Sequence, residues 1–294
     1  MLNRVTNQSM AAAAQRNLQA GQSRLATLQQ KAGTLQNITR PSDDPAALAN
    51  AMATRAQLRA ADQYAGNIND GNGWLDTADA ALGQATNILN KVRDLTLQAA
   101  NGSLNQPAKD AIAAELDGLG KDLLAAANTK YLGRNIFAGS SDSAAAFSGN
   151  PPVFNGVPAS SVERRVDAGQ KVRVDADGGA IFGNGAGSVF ALVSGVAAAI
   201  RSGADPSPQL GAVDARLNSV INGRAEVGTR QAQLVTAQDR LSGLKATLET
   251  QRSAIEDADI GQVVLDLKLQ ESNYQVALAV TAKVLQPTLM DFLR

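Results

Sequence analysis

Few side chains in this sequence have the types and spacing needed for catalysis, because the chain contains no histidine and no cysteine. Their absence excludes thiol nucleophiles, serine–histidine couples, disulfides and zinc sites built from cysteine and histidine. The adjacent carboxylates Asp43 and Asp44 have the chemistry of a general acid and base. They lie between Pro41 and Pro45, however, where helix capping explains them better, because Ser42, Asp43 or Asp44 can be the N-cap of a helix that begins at Pro45.

Two glycine-rich segments have the composition of ligand-binding loops but not the spacing. Residues 183–188 contain the glycines of a phosphate loop and lack both the lysine of a Walker motif and the G-x-G-x-x-G pattern. Residues 175–179 begin like a calcium loop and lack its ligand spacing and distal glutamate. We interpret the first segment as a flexible linker and the second as a β-turn. The sequence therefore predicts no catalytic residue, no metal site and no cofactor.

The composition favours closely packed helices and gives no reason to expect a nucleic-acid partner. The 27 basic and 27 acidic side chains cancel in a chain of 294 residues. Hydrophobic residues make up 44% of the chain but aromatic residues only 3%, so alanine supplies much of the apolar surface. The longest apolar run, residues 189–200, is too short to span a bilayer. No apolar segment follows a basic start, so we predict neither membrane insertion nor a cleaved signal peptide.

The last forty residues carry the most regular hydrophobic pattern of the chain. The residues of one seam are Ile260, Val263, Leu267, Gln270, Tyr274, Ala277, Thr281, Val284 and Thr288. This alternating spacing of three and four predicts a helix that packs along a partner helix. Further apolar residues widen the surface, namely Val264, Leu278, Leu285 and Phe292 in one set and Leu269, Val276 and Met290 in another. We expect other chains to bury this helix, with an ordinary buried C-terminal helix as the alternative.

A second and weaker seam occupies the beginning of the chain. Its residues are Ala11, Ala14, Leu18, Gly21, Leu25, Leu28, Ala32 and Leu35, and their spacing is unbroken. Residues 1–42 contain five basic side chains and no acidic one, whereas residues 255–294 are net acidic. We therefore expect the two terminal helices to pair, with ion pairs between them that set the register more than the stability.

Between these terminal segments the hydrophobic pattern predicts a helical body. Its helices are expected over residues 45–68, 74–99, 107–130, 189–200 and 213–255. We expect Gly71-Asn72-Gly73 and Asn101-Gly102 to break the chain between successive helices. The last of the predicted helices has an apolar residue at every seventh position, and we favour one long amphipathic helix that packs on its own bundle.

The predicted fold class is mainly α, an elongated helical bundle with paired N- and C-terminal coiled-coil helices and a small inserted β domain. The β domain is predicted where glycine, proline and β-branched residues replace the helical pattern, with turns at residues 167–169 and 177–179. The domains are predicted as residues 1–40 and 256–294 for a terminal coiled-coil assembly domain, residues 41–135 and 188–255 for the helical body, and residues 136–187 for a β-rich outer domain.

Several segments resemble, in order along the chain, motifs of the flagellin superfamily. Residues 40–45 read RPSDDP, residues 92–102 read VRDLTLQAANG, and residues 253–260 read SAIEDADI. Residues 135–142, NIFAGSSD, and the ending TLMDFL are similar to the hook-associated protein 3 branch, while the final Arg294 is closer to filament flagellins. The residues identified as family signature are Arg40, Pro41, Ser42, Asp43, Asp44, Pro45, Asn101, Gly102, Phe137, Gly139, Glu256, Asp257 and Asp259.

The resemblance implies a structural adaptor of the bacterial flagellum rather than an enzyme. It implies a location outside the cell at the hook–filament junction, with hook-associated protein 1 on the hook side, flagellin on the filament side and copies of the same chain in a ring. It also implies export without a cleaved signal peptide through the flagellar type III apparatus, with a flagellar export chaperone on the C-terminal helix.

We predict an assembly interface on the terminal helices. Its residues are Leu18, Leu25, Leu28, Leu35, Ile260, Val263, Val264, Leu267, Tyr274, Leu278, Val284, Leu285 and Phe292. Two alternatives to the adaptor remain. One is a short filament flagellin. The other is a flagellum-associated wall hydrolase with a carboxylate mechanism, for which no acidic pair lies in a convincing cleft motif.

Overall fold

The computed structural model describes residues 7–38, 40–101, 104–157 and 160–284. In chain order the helices are α1 (Asn7–Thr34), α2 (Pro45–Ala99), α3 (Gln106–Ala127), α4 (Gly178–Phe182), α5 (Val189–Arg201), α6 (Leu210–Glu256) and α7 (Ile260–Val284). The strands form three antiparallel pairs, β1 (Lys130–Tyr131) with β2 (Arg134–Asn135), β3 (Phe147–Ser148) with β4 (Val153–Phe154), and β5 (Glu163–Arg165) with β6 (Lys171–Arg173). The predicted class is confirmed, because the fold is mainly α with paired terminal helices and short antiparallel strands.

The chain divides into two compact units, and each is described by itself. One unit comprises Met1–Arg59 and Lys245–Arg294, and its described part contains α1 and α7. The other is Ala60–Leu244, which contains α3, α5 and all six strands. The long helices α2 and α6 contribute residues to both units, so each unit is built from segments that are distant in the sequence.

The core of the larger unit follows the heptad ladders of α2 and α6. The buried ladder residues are Leu75, Ala78, Leu82, Ala85, Leu89 and Val92 on α2 and Val213, Val220, Val227, Leu234 and Leu241 on α6. Helices α3 and α5 pack on each other and bury Leu116, Leu123, Val193 and Val196. The prediction of one long helix that packs on its own bundle is therefore confirmed for α6 within this unit.

Polar contacts fix the register of α2 against α6 in the larger unit. Arg224 donates from Nε and Nη2 to the two carboxylate oxygens of Asp79, over 2.7 Å and 3.0 Å. Arg93 Nε lies 2.7 Å from Asp214 Oδ1, which is a second ion pair between the same helices. The hydrogen bond from Arg224 holds the pKa of Asp79 below its ordinary value. Because the pKa is lowered in the folded state, this pair stabilises the fold above the unfolded pKa of about 3.9 and loses that contribution as the pH falls.

Replacing Asp79 by asparagine is expected to reduce the acid sensitivity of folding. At pH 7 the variant should lose no more than about 1 kcal/mol of unfolding free energy, because Asp79 and Arg224 are both partly exposed. Between pH 5 and pH 2 it should lose less stability than the native chain, since it has no carboxylate to protonate there. Urea unfolding followed by Trp74 fluorescence measures both effects, with Asp94→Asn on the exposed face of the same helix as control. If acidification lowers the unfolding free energy equally in the native chain and in Asp79→Asn, the Asp79 carboxylate does not cause the acid sensitivity.

The predicted helix break at Gly71-Asn72-Gly73 is wrong, because α2 runs without interruption from Pro45 to Ala99. These glycines make room for neighbouring side chains instead. A Cβ atom at Gly73 would overlap the Tyr131 hydroxyl and lie 2.6 Å from its Cζ atom, and one at Gly71 would lie 3.1 Å from atoms of Leu234 and Val174. Tyr131 also packs against Trp74, with ring centroids 5.8 Å apart. The glycines thus serve close packing, and the tertiary contacts offset their low helix propensity.

Substituting Gly73 by alanine is expected to lower the unfolding free energy by about 1–3 kcal/mol, because the added methyl group has no space beside Tyr131. Gly66 provides a matched control on the same helix, since a Cβ atom there meets nothing within 4 Å. Gly66→Ala should instead raise stability by about 0.5–1 kcal/mol through the higher helix propensity of alanine. Chemical denaturation followed by circular dichroism measures both changes. If the two variants change the unfolding free energy in the same direction and by a similar amount, close packing is not the reason for glycine at position 73.

An aromatic cluster supports the strand-containing part of the larger unit. Phe137, Phe147 and Phe182 are almost fully buried, and Phe190 of α5 joins them. The ring centroids of Phe137 and Phe182 lie 5.2 Å apart, and those of Phe147 and Phe190 lie 5.1 Å apart. Edge-to-face pairs at these distances add to the stability that burial provides. The β3–β4 pair, which supplies Phe147 and Phe154, is therefore packed on helix α5 through Phe190.

Both glycine-rich segments differ in detail from their predicted structures. The prediction of a β-turn at residues 177–179 is wrong. Asp177 instead caps α4, where it accepts a hydrogen bond from the Ala180 amide over 3.0 Å. The segment 183–188 connects α4 to α5, as predicted. It differs from the predicted flexible linker because hydrogen bonds with side chains fix its position. Asn184 Oδ1 accepts the Phe154 amide over 3.0 Å, and Arg216 donates to the Gly187 carbonyl. The donors and acceptors of this segment are thus engaged with the protein itself.

Candidate assembly interface on the paired terminal helices

Helices α1 and α7 pack against each other in antiparallel orientation. Leu35, just after α1, lines a small cavity with Ile260 at the start of α7. Further along, Gln270 Nε2 donates to the Gly21 carbonyl over 3.3 Å. A Cβ atom at Gly21 would lie 3.2 Å from Tyr274 Cδ2, so glycine lets the tyrosine ring lie on the α1 backbone. The two predicted terminal seams are therefore joined to each other within one chain.

The seam residues are only half-buried by this pairing, because in the described residues α1 and α7 pack mainly on each other. The partly buried seam residues are Ala11, Ala14, Leu18, Gly21, Leu25, Leu28 and Ala32 on α1, and Val263, Leu267, Gln270, Tyr274, Ala277 and Thr281 on α7. Their spacing of three and four is that of a coiled coil. None of these side chains reaches the full burial found along α2 and α6.

One side of α7 carries four exposed apolar side chains. Leu265, Leu269, Val276 and Val280 are 67%, 63%, 59% and 56% exposed. At 100° per residue they lie on one stripe beside the seam with α1, and Leu269 also lines the groove between the two helices. We call these four residues the outer stripe. An exposed apolar stripe on a surface helix marks an interaction site, because water contact with it is unfavourable.

The structure separates the predicted interface residues into three groups. Leu18, Leu25, Leu28, Val263, Leu267 and Tyr274 lie in the α1–α7 seam. Leu35, Ile260, Val264 and Leu278 are exposed beside it. The side chain of Val284 and residues Leu285 and Phe292 lie outside the described part of the chain. Sequence analysis missed Leu265 and Val280, although their spacing with Leu269 and Val276 is that of one helix face.

The predicted ion pairs between the terminal helices are wrong for the described residues 7–38 and 260–284. Arg24, Lys31 and Asp266 line one groove of about 400 Å³ between α1 and α7 without pairing across it. Lys31 Nζ donates to Asn37 Oδ1 over 3.0 Å, and Lys268 pairs with Glu271 of its own helix. The register of the two helices therefore depends on the packing of Gly21 against Tyr274 rather than on charge.

The chain segments that follow α1 and precede α7 are bonded to each other. Leu35 adopts a left-handed conformation with a φ of +57°, which ends α1. The Asn37 amide donates to the Glu256 carbonyl over 2.7 Å, and the Ala258 amide donates to the Leu35 carbonyl over 3.0 Å. These bonds form a short antiparallel bridge between Gln36 and Asp257. We call this pair of segments the backbone bridge.

Signature residues around the backbone bridge cap the adjoining helices. Asp44 Oδ1 accepts the Ala47 amide over 2.9 Å, so Asp44 is the cap of α2 and Pro45 its first residue. Asp43 closes the preceding turn, since its Oδ2 accepts the Arg40 amide over 2.9 Å and its own amide donates to the Arg40 carbonyl. Asp259 Oδ1 accepts the Gln262 amide over 3.2 Å at the start of α7. The carboxylates thus position helices, as the capping interpretation predicts.

One ion pair joins α2 to the end of α6 beside the backbone bridge. Arg55 Nε lies 2.6 Å from Glu256 Oε1, and Arg55 Nη2 donates to Glu256 Oε2 over 2.8 Å. The Glu256 side chain is only 12% exposed, and its hydrogen bond raises the pKa of Arg55 above the ordinary value. This two-bond geometry fixes direction as well as distance. Sequence analysis did not single out Arg55, because its partner lies 201 positions away.

Comparison with known proteins matches both ends of the chain to one family. The model of the bacterial flagellin N-terminal helical region matches residues 5–142, and that of the flagellin C-terminal helical region matches residues 210–293. The chain belongs to the flagellin family. The matched regions contain the whole of α1, α2, α3, α6 and α7, and so include the terminal pair and both long helices.

Relatives of this flagellin-family chain include hook-associated protein 3 of Escherichia coli strain K12, 27% identical over 271 residues, which cover 83% of this chain and 85% of that protein. A flagellar filament 30.7 kDa core protein of Treponema maltophilum is 25% identical and covers 86% of each chain. The crystal structure of Bacillus cereus FlgL has a similar fold, with a TM-score of 0.60, 24% identity and coverage of 68% of this chain and 99% of that one. The predicted resemblance to the hook-associated protein 3 branch is confirmed, and the chain is a flagellar structural protein.

The remaining flagellin-family signature residues lie in the larger unit. Asn101 follows α2, its amide donates to the Gln98 carbonyl, and Gly102 lies outside the described residues. Phe137 belongs to the aromatic cluster. Gly139 has a φ of +61°, and a Cβ atom there would overlap Ser160 Oγ. These residues support the fold rather than the α1–α7 pair.

Within the described residues, no group of three or more acidic side chains is placed to hold a metal ion. None of the helices in the described ranges is long and apolar enough to cross a membrane. The outer stripe of α7, with four apolar side chains that are more than half exposed, is the feature that best supports an interaction site.

Proposed function

We propose that this chain is the adaptor between the flagellar hook and filament. Its terminal domain, residues 1–40 and 256–294, joins hook-associated protein 1 on the hook side to flagellin on the filament side, and copies of the chain form a ring. The observation that carries this proposal is the outer stripe of α7, which one chain leaves uncovered. The names of the relatives support the position, since hook-associated protein 3 aligns over most of both chains.

Assembly would bury the terminal helices between neighbouring subunits. Full burial of one leucine or valine side chain contributes about 1.5–3 kcal/mol, so the four residues of the outer stripe contribute several kcal/mol per subunit. Ordering the half-buried α1–α7 pair opposes part of that gain. Subunits with incompletely covered terminal helices would then become fully ordered only where neighbours are present.

The same property suits export. A chain whose terminal helices are stabilised mainly by neighbours passes more easily through the flagellar type III apparatus in an unfolded state, without a cleaved signal peptide. A chaperone that covers the C-terminal helix before export would prevent premature association, since this helix carries the exposed stripe. The mature protein would lie outside the cell at the hook–filament junction.

A deletion strain tests the adaptor function. Electron microscopy should show hooks without filaments, and flagellin should accumulate in the culture medium because subunits are exported but not retained. Reintroducing the gene should restore filaments. Normal filaments in the deletion strain would refute the proposal.

A short filament flagellin is the second candidate, favoured by the similarity to the Treponema filament core protein over 86% of each chain. The deletion strain distinguishes it, because loss of the filament protein leaves bare hooks and no flagellin in the medium. Purified protein gives an independent test under salting-out conditions. A filament flagellin grows long filaments alone, whereas the adaptor should not.

A further inference from the structure

The turn between β1 and β2 contains a leucine whose side chain is mostly exposed to solvent. Tyr131 pairs with Arg134, so Leu132 and Gly133 form a two-residue hairpin turn. Their φ angles are +46° and +81°, and such turns favour asparagine, aspartate or glycine at the first position. Leucine there carries a backbone penalty of about 1–2 kcal/mol. Its side chain is nevertheless 80% exposed, so no burial offsets this penalty within the chain.

Two cations flank the exposed leucine. Lys130 precedes the turn and is exposed, and Arg134 follows it with a side chain that is 45% exposed. Arg134 reaches Asp142 only over 3.7 Å, which is a weak surface contact. We call residues 130–134 the Leu132 turn. It combines one apolar side chain with positive charge on both sides, so its complement is an apolar recess with an acidic rim.

Such a recess of about 240 Å³ lies between α4 and α6. Its lining is mixed, with Ala176, Ala180, Ile181 and Gly223 as the apolar part and Ser219 and Asn222 among the polar residues. Gly223 has no space for a side chain, because a Cβ atom there would lie 2.7 Å from Ile181 Cδ1. We call this recess the α4–α6 pocket. Its volume is sufficient for a leucine side chain.

Acidic side chains lie on the rim of this pocket. Glu226 is 69% exposed and pairs with Arg230 over 2.9 Å through one carboxylate oxygen. Asp177 lines the same pocket and uses Oδ1 to cap α4. Each carboxylate therefore retains acceptor capacity for a further cation. Arg230 also lines the pocket and offsets one of these two charges, so the lining keeps one net negative charge, which favours a cationic partner such as Lys130 or Arg134.

We propose that the Leu132 turn of one copy of this chain inserts into the α4–α6 pocket of the next copy. Lys130 and Arg134 would then lie beside Glu226 and Asp177 of the neighbouring copy. The turn packs on α2 through Tyr131 and Gly73, whereas the pocket belongs to α6, so one copy can engage two neighbours. A contact between two different surfaces is heterologous and generates a ring or an open helix. The inference rests on the proposed function, since it specifies how the copies in the ring contact one another.

Leu132→Asn separates an assembly role from a folding role. Asparagine is favoured in this turn, so the variant should unfold at the same or a higher temperature than the native chain. Loss of one buried leucine should weaken the contact between copies by about 10- to 100-fold, and fewer hooks should carry filaments. A stable Leu132→Asn variant that supports the native number of filaments would overturn the proposal.

Site-specific cross-linking tests the contact directly, because the chain has no native cysteine. A strain that carries Leu132→Cys with Ala180→Cys as its sole copy is grown, and its isolated hook–filament structures are oxidised. Disulfides between copies should give a ladder of dimers and larger species on non-reducing gels. The matched control is Val153→Cys with Ala180→Cys, which pairs the pocket with another exposed hydrophobic position outside the turn.

The outcomes separate this contact from the adaptor function. A ladder in the test pair and only background in the control supports the insertion. The chain detected in hook–filament structures without a ladder above the control overturns the insertion and leaves the adaptor function intact. Absence of the chain from those structures, with native hooks and filaments, refutes the adaptor function and the insertion together.

Discussion

Replacing Leu269 and Val276 together by aspartate is expected to leave nearly all hooks without filaments while the monomer stays folded. Both side chains are about 60% exposed on the outer stripe, at 63% and 59%, so the isolated chain loses little burial. In the assembled state each aspartate would place an unpaired charge in an apolar interface, which is strongly unfavourable. Electron microscopy of hooks in a complemented deletion strain measures the loss, and circular dichroism of the purified variant verifies folding.

A matched control for this effect is Val235→Asp on α6, which also replaces an exposed valine, 57% exposed, by a charge. It lies outside the terminal domain and should leave the number of filaments unchanged. Single variants should fall between the native chain and the double variant. Native filament numbers with Leu269→Asp and Val276→Asp combined would exclude the outer stripe as an assembly surface.

Replacing Glu256 by alanine is expected to loosen the backbone bridge and lower the unfolding free energy of the terminal unit by about 1–2 kcal/mol. The estimate follows from the loss of two charge-assisted hydrogen bonds to Arg55, reduced because Arg55 is half exposed. Amide hydrogen exchange provides the local measurement. The Asn37 and Ala258 amides donate the two bridge bonds, and their protection should fall more than that of amides in the larger unit.

Glu249→Ala is the control for the Glu256 variant because it removes a carboxylate from the same helix. Glu249 pairs with Arg252 three residues on, and both side chains are about half exposed. Its replacement should change stability by less than about 0.5 kcal/mol. Arg55→Lys adds a second comparison, since lysine keeps the charge and loses the two-bond geometry. If the two amides of the backbone bridge exchange at equal rates in Glu256→Ala and Glu249→Ala, the ion pair does not stabilise the bridge.

The seams of the terminal helices were predictable because heptad spacing depends on neighbouring positions alone. The seam residues of α7 from Val263 to Thr281 are all half-buried, as the spacing predicts, and Asp266 and Glu271 beside them are half-buried as well. The caps at the start of α2 were predictable for the same reason, since a capping side chain bonds an amide three residues away. Which of the three candidates caps the helix was decided by the structure in favour of Asp44.

Predictions failed where the deciding contact joins distant parts of the sequence. Gly71 and Gly73 have the composition of a helix break, yet Tyr131, Leu234 and Val174 pack on them and α2 continues. Within residues 7–38 and 260–284 the expected charge pairing of the terminal helices does not form, although Arg24 and Asp266 line the same groove. Neither result follows from local propensity.

The sequence by itself determined the helical class, the two terminal seams, the capping carboxylates and the membership in the flagellin family, because periodicity and short motifs are properties of neighbouring residues. Tertiary structure alone decided that the two seams face each other antiparallel, that Arg55 bonds Glu256, and that the outer stripe remains uncovered. It also decided that the Leu132 turn and the α4–α6 pocket are both exposed on one chain. Each of these features depends on contacts between segments that are far apart in the sequence, and hydrophobic spacing does not predict such contacts.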